Sequence, residues 1–136
     1  DALLNGVTAN LDALHKLNDE IPDKQLSDAM DRMEKAGRSI ADTVARTPDK
    51  ARNVDRFARY YLPEMVKLMG AYAELEKQGV KGDNAAQIEA DLRRNADPTA
   101  AAFENLLDAL YSAEAMDIST DIEVLDSILK SQNLTK

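Results

Sequence analysis

The chain has 136 residues, 44% of them hydrophobic and 31% charged, with a formal net charge of −8 and no cysteine. That length suits one domain spanning 1–136, and the missing thiols exclude disulfides, thiolate catalysis and thiolate metal sites. The negative charge argues against a nucleic-acid binder, and no stretch approaches the roughly 18 apolar residues of a membrane span, so this segment is not expected to insert into a bilayer directly.

Leu4, Val7, Leu11, Leu14 and Leu17 recur at helical spacing, which predicts a first amphipathic helix over 2–18. Asp19-Glu20-Ile21-Pro22 ends it, and Pro22 is placed to open the next helix. There Leu26, Met30, Met33, Gly37, Ile40 and Val44 form a heptad seam, with Gly37 as a point of close approach. Thr47-Pro48-Asp49 reads as an N-cap, a first-turn proline and an acid facing the helix terminus. Behind it Ala51, Val54, Ala58, Tyr61, Met65, Leu68, Tyr72 and Leu75 keep one apolar seam over 48–78. Tyr61 is thus expected inward with Met65 and Leu68, and Tyr60 about 100° away on an outer face. Pro63 lies inside this arm and is expected to bend it, because its missing N–H leaves the Arg59 carbonyl without a partner.

Gly79-Val80-Lys81-Gly82-Asp83 is the clearest turn. A return arm over about 84–115 carries Ile88, Leu92, Phe103, Leu106, Leu107 and Leu110, with a kink or break expected at Asp97-Pro98. Thr120-Asp121-Ile122-Glu123 matches a capping box that would open a short last helix. The expected fold is all-α: an elongated bundle of about five helices built on a long antiparallel hairpin, bent near Pro63 and Pro98.

Charge is segregated along the chain. Residues 35–67 hold eight bases against four acids, whereas 95–129 hold eight acids and no base. Symmetry about a turn near residue 81 sets Arg59 near Phe103-Glu104, Arg56 near Leu106 to Asp108 and Arg52 near Leu110. The basic arm is therefore expected to face the acidic arm, with the pairing fixing register more than stability.

The chain has no phosphate-cradling glycine loop, zinc-binding histidine pair or nucleophile elbow. Its single histidine, His15, has no histidine partner and reads as structural. Arg52, Arg56 and Arg59 share a helical face at i, i+4 and i+7 and, with Tyr60, are the candidate anion-binding residues; pairing with the acidic arm is the competing reading. Asp117, Asp121, Glu123 and Asp126 supply the oxygen ligands a hard cation needs, but their spacing fits no EF-hand loop and capping explains two of them. Asp117 and Asp121 are thus only weak metal candidates, and no cofactor is implied. The methionines at 30, 33, 65, 69 and 116 mostly follow the seams as core filler.

Three segments together resemble the 5-bromo-4-chloroindolyl phosphate hydrolysis protein family. They are Arg56 to Met69 around Tyr60-Tyr61-Leu62-Pro63, with Tyr72 and Leu75 following; Phe103-Glu104-Asn105-Leu106-Leu107 with Leu110; and Asp117-Ile118-Ser119-Thr120-Asp121-Ile122 followed by Val124-Leu125. Tyr60, Tyr61, Leu62, Pro63, Asp117, Thr120 and Asp121 are motif residues with a structural role.

The resemblance implies a bacterial helical domain on the cytoplasmic side, often tethered through an upstream membrane-associated region that this chain is expected to lack, since it opens on Asp1. It also implies a link to hydrolysis of an indolyl phosphate dye. Phosphomonoester hydrolysis needs a nucleophile or activated water plus strong charge stabilisation. With the arginines expected in pairs and the carboxylates in caps, the preferred expectation is a binding or scaffold domain rather than an enzyme. Its partners would be proteins or its own upstream membrane region. A weak metal-assisted phosphatase is the alternative.

Overall fold

The computed structural model describes residues 1–131, omitting the side chains of 113–122, 125 and 128–131. Among the described residues the fold is all-α. Helix α1 (Ala2–Glu20) and α2 (Lys24–Arg46) are followed by a 3-10 helix, Pro48–Val54, and a π-helical turn, Phe57–Tyr61; α3 (Leu62–Lys77) and α4 (Asp83–Ser131) complete it.

Each start and stop has a local cause. Asp1 caps α1 by accepting from the Leu3 amide at 2.9 Å, and Asp23 caps α2 by accepting from the Leu26 amide at 3.1 Å. Pro22 therefore lies just outside α2 rather than in its first turn. Pro48 occupies the first turn of the 3-10 helix as expected, but Thr47 makes no capping bond. After α3, Gly79 adopts φ +67, a left-handed conformation that only glycine takes without penalty. Its amide bonds the Glu76 carbonyl at 3.1 Å and the Val80 amide bonds the Leu75 carbonyl at 3.1 Å, the double closure of a Schellman cap.

The hairpin has the anticipated register but a different construction. Phe57 meets Phe103, Tyr72 meets Glu89 and Lys50 reaches the Leu110 carbonyl, each within two residues of the symmetric pairing. The first arm, however, is not one α-helix from residue 48. Pro63 cannot donate to the Arg59 carbonyl, and the turn before it widens so that the Leu62 amide bonds the Phe57 carbonyl five residues back. The return arm is α4, which runs through Pro98 and through 120–123 without a break. The kink-or-break site at 98 and the separate last helix are therefore one continuous helix. Near Pro98, whose missing N–H frees the Arg94 carbonyl, Gln25 Nε2 donates to the neighbouring Arg93 carbonyl at 2.9 Å.

Four helices thus form a square in the order α3, α1, α2, α4. α1 runs antiparallel to α2, with His15 beside Glu34, Asn18 beside Asp31 and Asp12 beside Arg38. α4 lies chiefly along α2 and parallel to it, as Gln25–Arg93 and Arg32–Glu104 show. The α2 seam is buried throughout, as expected; α1 contributes Val7, Leu11 and Leu14, and α4 contributes Leu92, Ala96, Ala100, Phe103 and Leu110.

Gly37 is where α1 crosses α2. A Cβ there would lie 2.6 Å from Leu11 Cδ2, and Leu11 is only 1% exposed, so its side chain has little room to yield. Gly37→Ala is expected to cost about 1–2 kcal/mol net, overpacking outweighing the gain in helix propensity. Gly70→Ala, where a Cβ meets nothing within 4 Å, should instead gain about 0.5–1 kcal/mol. Urea unfolding of the two variants checks both signs.

Candidate functional site

Between α3 and α4 the square does not close. A groove of about 550 Å³ opens there, lined by Asn53, Arg56, Phe57 and Tyr61 on one wall and by Asn95, Pro98, Thr99, Ala102, Phe103 and Leu106 on α4. Two features of the sequence create it. Thr99 and Ala102 are small, so the α4 wall does not fill the space opposite Tyr61. The core seam takes Leu62 and leaves Tyr61 outside it, at the end of the widened π turn. Leu62 is fully buried, while Tyr61 is 45% and Leu68 42% exposed. The inward placement of Tyr61 and Leu68 is thereby corrected: the core seam passes through Phe57, Ala58, Leu62, Met65, Met69 and Tyr72. The groove floor is aromatic, Phe57 and Phe103 meeting edge to face with centroids 4.8 Å apart.

Arg56 stands at one end of this groove with its guanidinium 5.5 Å from the centre of the Tyr61 ring, a cation–π distance. It makes no ion pair among the described residues, and no carboxylate among them lines the groove. The other candidate anion-binding residues do not converge with it. Arg59 pairs with Asp55 at 2.6 Å and borders a separate small pocket with Ala2, Leu3 and Gly6. Tyr60 is 56% exposed, its ring edge-on to Tyr61 at 5.1 Å. Arg52 lies outside the groove lining.

The expected pairing of basic arm with acidic arm is also corrected. Glu104 accepts two hydrogen bonds from Arg32 of α2, at 3.2 and 2.7 Å, and Arg32 also approaches Asp97 at 3.7 Å. The reason is topological: α2 flanks the face of α4 that carries Asp97 and Glu104. His15 Nδ1 lies 2.9 Å from Glu34, whose hydrogen bond raises the imidazole pKa above its ordinary value. Glu34 also takes Arg38 at 2.8 Å, and Arg38 reaches Asp12 at 3.0 Å. This chain of ion pairs staples α1 to α2 and stands apart from the groove. Asp117, Thr120 and Asp121 lie outside the described residues in their side chains. Among the described residues no three His, Asp or Glu side chains gather closely enough to hold a metal ion.

Reading by residue type overlooked Asn53, Asn95, Thr99 and Ala102. The signal was available in the register, which sets small Thr99 opposite Tyr61, but using it required knowing that Tyr61 had left the core.

The fold and groove define an all-α bundle domain with one unsealed helix–helix seam. The chain belongs to the family described as 5-bromo-4-chloroindolyl phosphate hydrolysis protein, which it matches over residues 1–125. No curated protein and no solved structure matches it significantly. Among the described residues no helix is long and apolar enough to cross a membrane.

Proposed function

We propose that this is a binding domain whose α3/α4 groove receives a guest with an apolar body and an anionic end. The observation that carries the reading is Arg56: a cation with no carboxylate partner among the described residues, at the mouth of an apolar, aromatic-floored groove. A groove of about 550 Å³ falls within the range of about 300–1,000 Å³ usual for small-molecule sites. The halogenated indolyl phosphate of the family description has this chemistry, a flat apolar ring with an anionic head. Hydrolysis would need a base or nucleophile beside the phosphate, and the polar groups available in the groove are the amides of Asn53 and Asn95 and the hydroxyls of Tyr61 and Thr99. Binding without turnover is therefore the favoured activity. By the family resemblance it is exercised beside a membrane and together with protein partners.

Calorimetric titration with 5-bromo-4-chloroindolyl phosphate, with and without magnesium, manganese or zinc, tests this. Saturable binding without release of indoxyl product is expected. Arg56→Ala should weaken it about tenfold or more, the usual cost of losing a charge-assisted hydrogen bond. Turnover that follows the folded protein through purification would instead establish a phosphatase.

A further inference from the structure

The groove does not end at Thr99. A second cavity of about 330 Å³ continues it, lined by Met65, Leu68, Ile88, Asp91 and Leu92 and sharing Asn95 and Thr99 with the first. From Leu106 to Ile88 the combined trough follows α4 for about 27 Å at about 1.5 Å per residue. Its charge is asymmetric. Arg56 stands toward the Leu106 end, whereas Leu68 and Ile88 at the other end are partly exposed apolar side chains. The carboxylate in that far half, Asp91, is engaged by Arg94 at 2.7 Å and by Gln87 at 2.9 Å.

From this shape we infer that the trough takes a single-chain anionic amphiphile, a fatty carboxylate, with its head on Arg56 and its chain laid between α3 and α4 toward Leu68 and Ile88. The inference rests on the groove being a binding site and adds what kind of guest uses its whole length. A compact ring fills only the Arg56 half. A bilayer core of about 30 Å is two disordered acyl chains end to end, so one chain of about 15 Å fits within the trough, and when fully extended it reaches past Asn95 into the Leu68–Ile88 half. The guanidinium supplies the donors a carboxylate wants, and its position over Tyr61 keeps it at the groove mouth. The apolar walls supply chain affinity that grows with each methylene buried.

The test is a chain-length series of octanoate, dodecanoate and hexadecanoate titrated below micelle formation, read by calorimetry and tryptophan-free difference spectroscopy at the tyrosines. Affinity should rise about fourfold for each added methylene until the trough is full. Arg56→Ala should weaken every member about tenfold or more. Leu68→Asp, at a side chain 42% exposed and so tolerated by the fold, should erase the gain from lengthening while leaving octanoate unchanged. An affinity independent of chain length would overturn the inference, even if the indolyl phosphate binds and the groove reading survives. No binding by either class would sink both. Attachment to intact vesicles of anionic phospholipid without uptake of free hexadecanoate would also overturn it, by pointing to a membrane surface.

Discussion

Leu62→Ala is expected to lower the stability of the domain by about 2–5 kcal/mol, and Tyr61→Ala by less than about 1 kcal/mol. Leu62 is fully buried, so alanine there forfeits its transfer free energy and leaves a cavity that surrounding helices cannot close. Tyr61 is 45% exposed at the groove edge, where water already reaches much of the ring. The order of these two effects is set by which of the two residues lies on the core seam. The seam expected from sequence, through Ala58, Tyr61, Met65 and Leu68, puts Tyr61 in the core and Leu62 outside it, and predicts the opposite ranking. Urea unfolding monitored by helical circular dichroism distinguishes the two. Tyr61→Ala carries a second readout: by removing the ring under Arg56 it should weaken the indolyl phosphate, whereas Leu62→Ala should change stability more than affinity in whatever fraction remains folded.

This one-residue step also marks where the sequence stops being legible. The helices, the Gly79 turn and the α2 seam follow from local rules, because capping acids, a left-handed glycine and a 3/4 apolar repeat act through neighbours in the chain. The hairpin register is legible for the same reason, since a short turn fixes which residues face each other. What escapes is long-range or cumulative. Pro63 signals a disturbed hydrogen bond, but a bend and a π turn both relieve it, and the apolar residues admit two seams, one through Tyr61 and Leu68 and one through Leu62 and Met69. Similarly Glu104 and Asp97 visibly need cations, yet nothing local says that Arg32, 72 residues from Glu104, supplies one in place of Arg56 or Arg59. That reassignment matters for function. Because Arg32 of α2 pairs with Asp97 and Glu104 of α4, Arg56 keeps its charge for the groove.

The second large effect is expected at Asp23, which joins three helices. Its carboxylate caps α2 through the Leu26 amide and accepts from Arg93 Nε of α4 at 2.6 Å. Arg93 in turn holds Glu89 at 2.9 Å, and Glu89 accepts the hydroxyl of buried Tyr72 of α3 at 2.8 Å. Asp23→Ala should cost about 2–3 kcal/mol: about 1 for the lost cap, and the rest for a pair whose carboxylate side chain is only 6% exposed. Because Arg93 is half exposed and can turn to water, the pair contributes less than a fully buried one. Asp23→Asn keeps an acceptor for the cap and should lose only about 1 kcal/mol. The pH dependence reads the carboxylate's charge, which strengthens both the cap and the Arg93 pair. Burial works to raise the Asp23 pKa, but the hydrogen bonds from Leu26 and Arg93 and the Arg93 charge outweigh it, leaving the carboxyl below its ordinary value of 3.8. A carboxyl with a lowered folded pKa stabilises above its unfolded pKa, and that contribution disappears as pH falls through the folded value. The stability difference between wild type and Asp23→Asn should accordingly be constant from neutral pH down to about 5 and shrink as pH drops below about 4. Measuring both proteins at matched pH cancels the similar acid loss expected at Glu34, whose pKa is also lowered, against burial, by His15 and Arg38. A difference that persists undiminished into acid would mean that the Asp23 charge contributes nothing, and would remove the Arg93 bridge from the account of how α4 is held to α2.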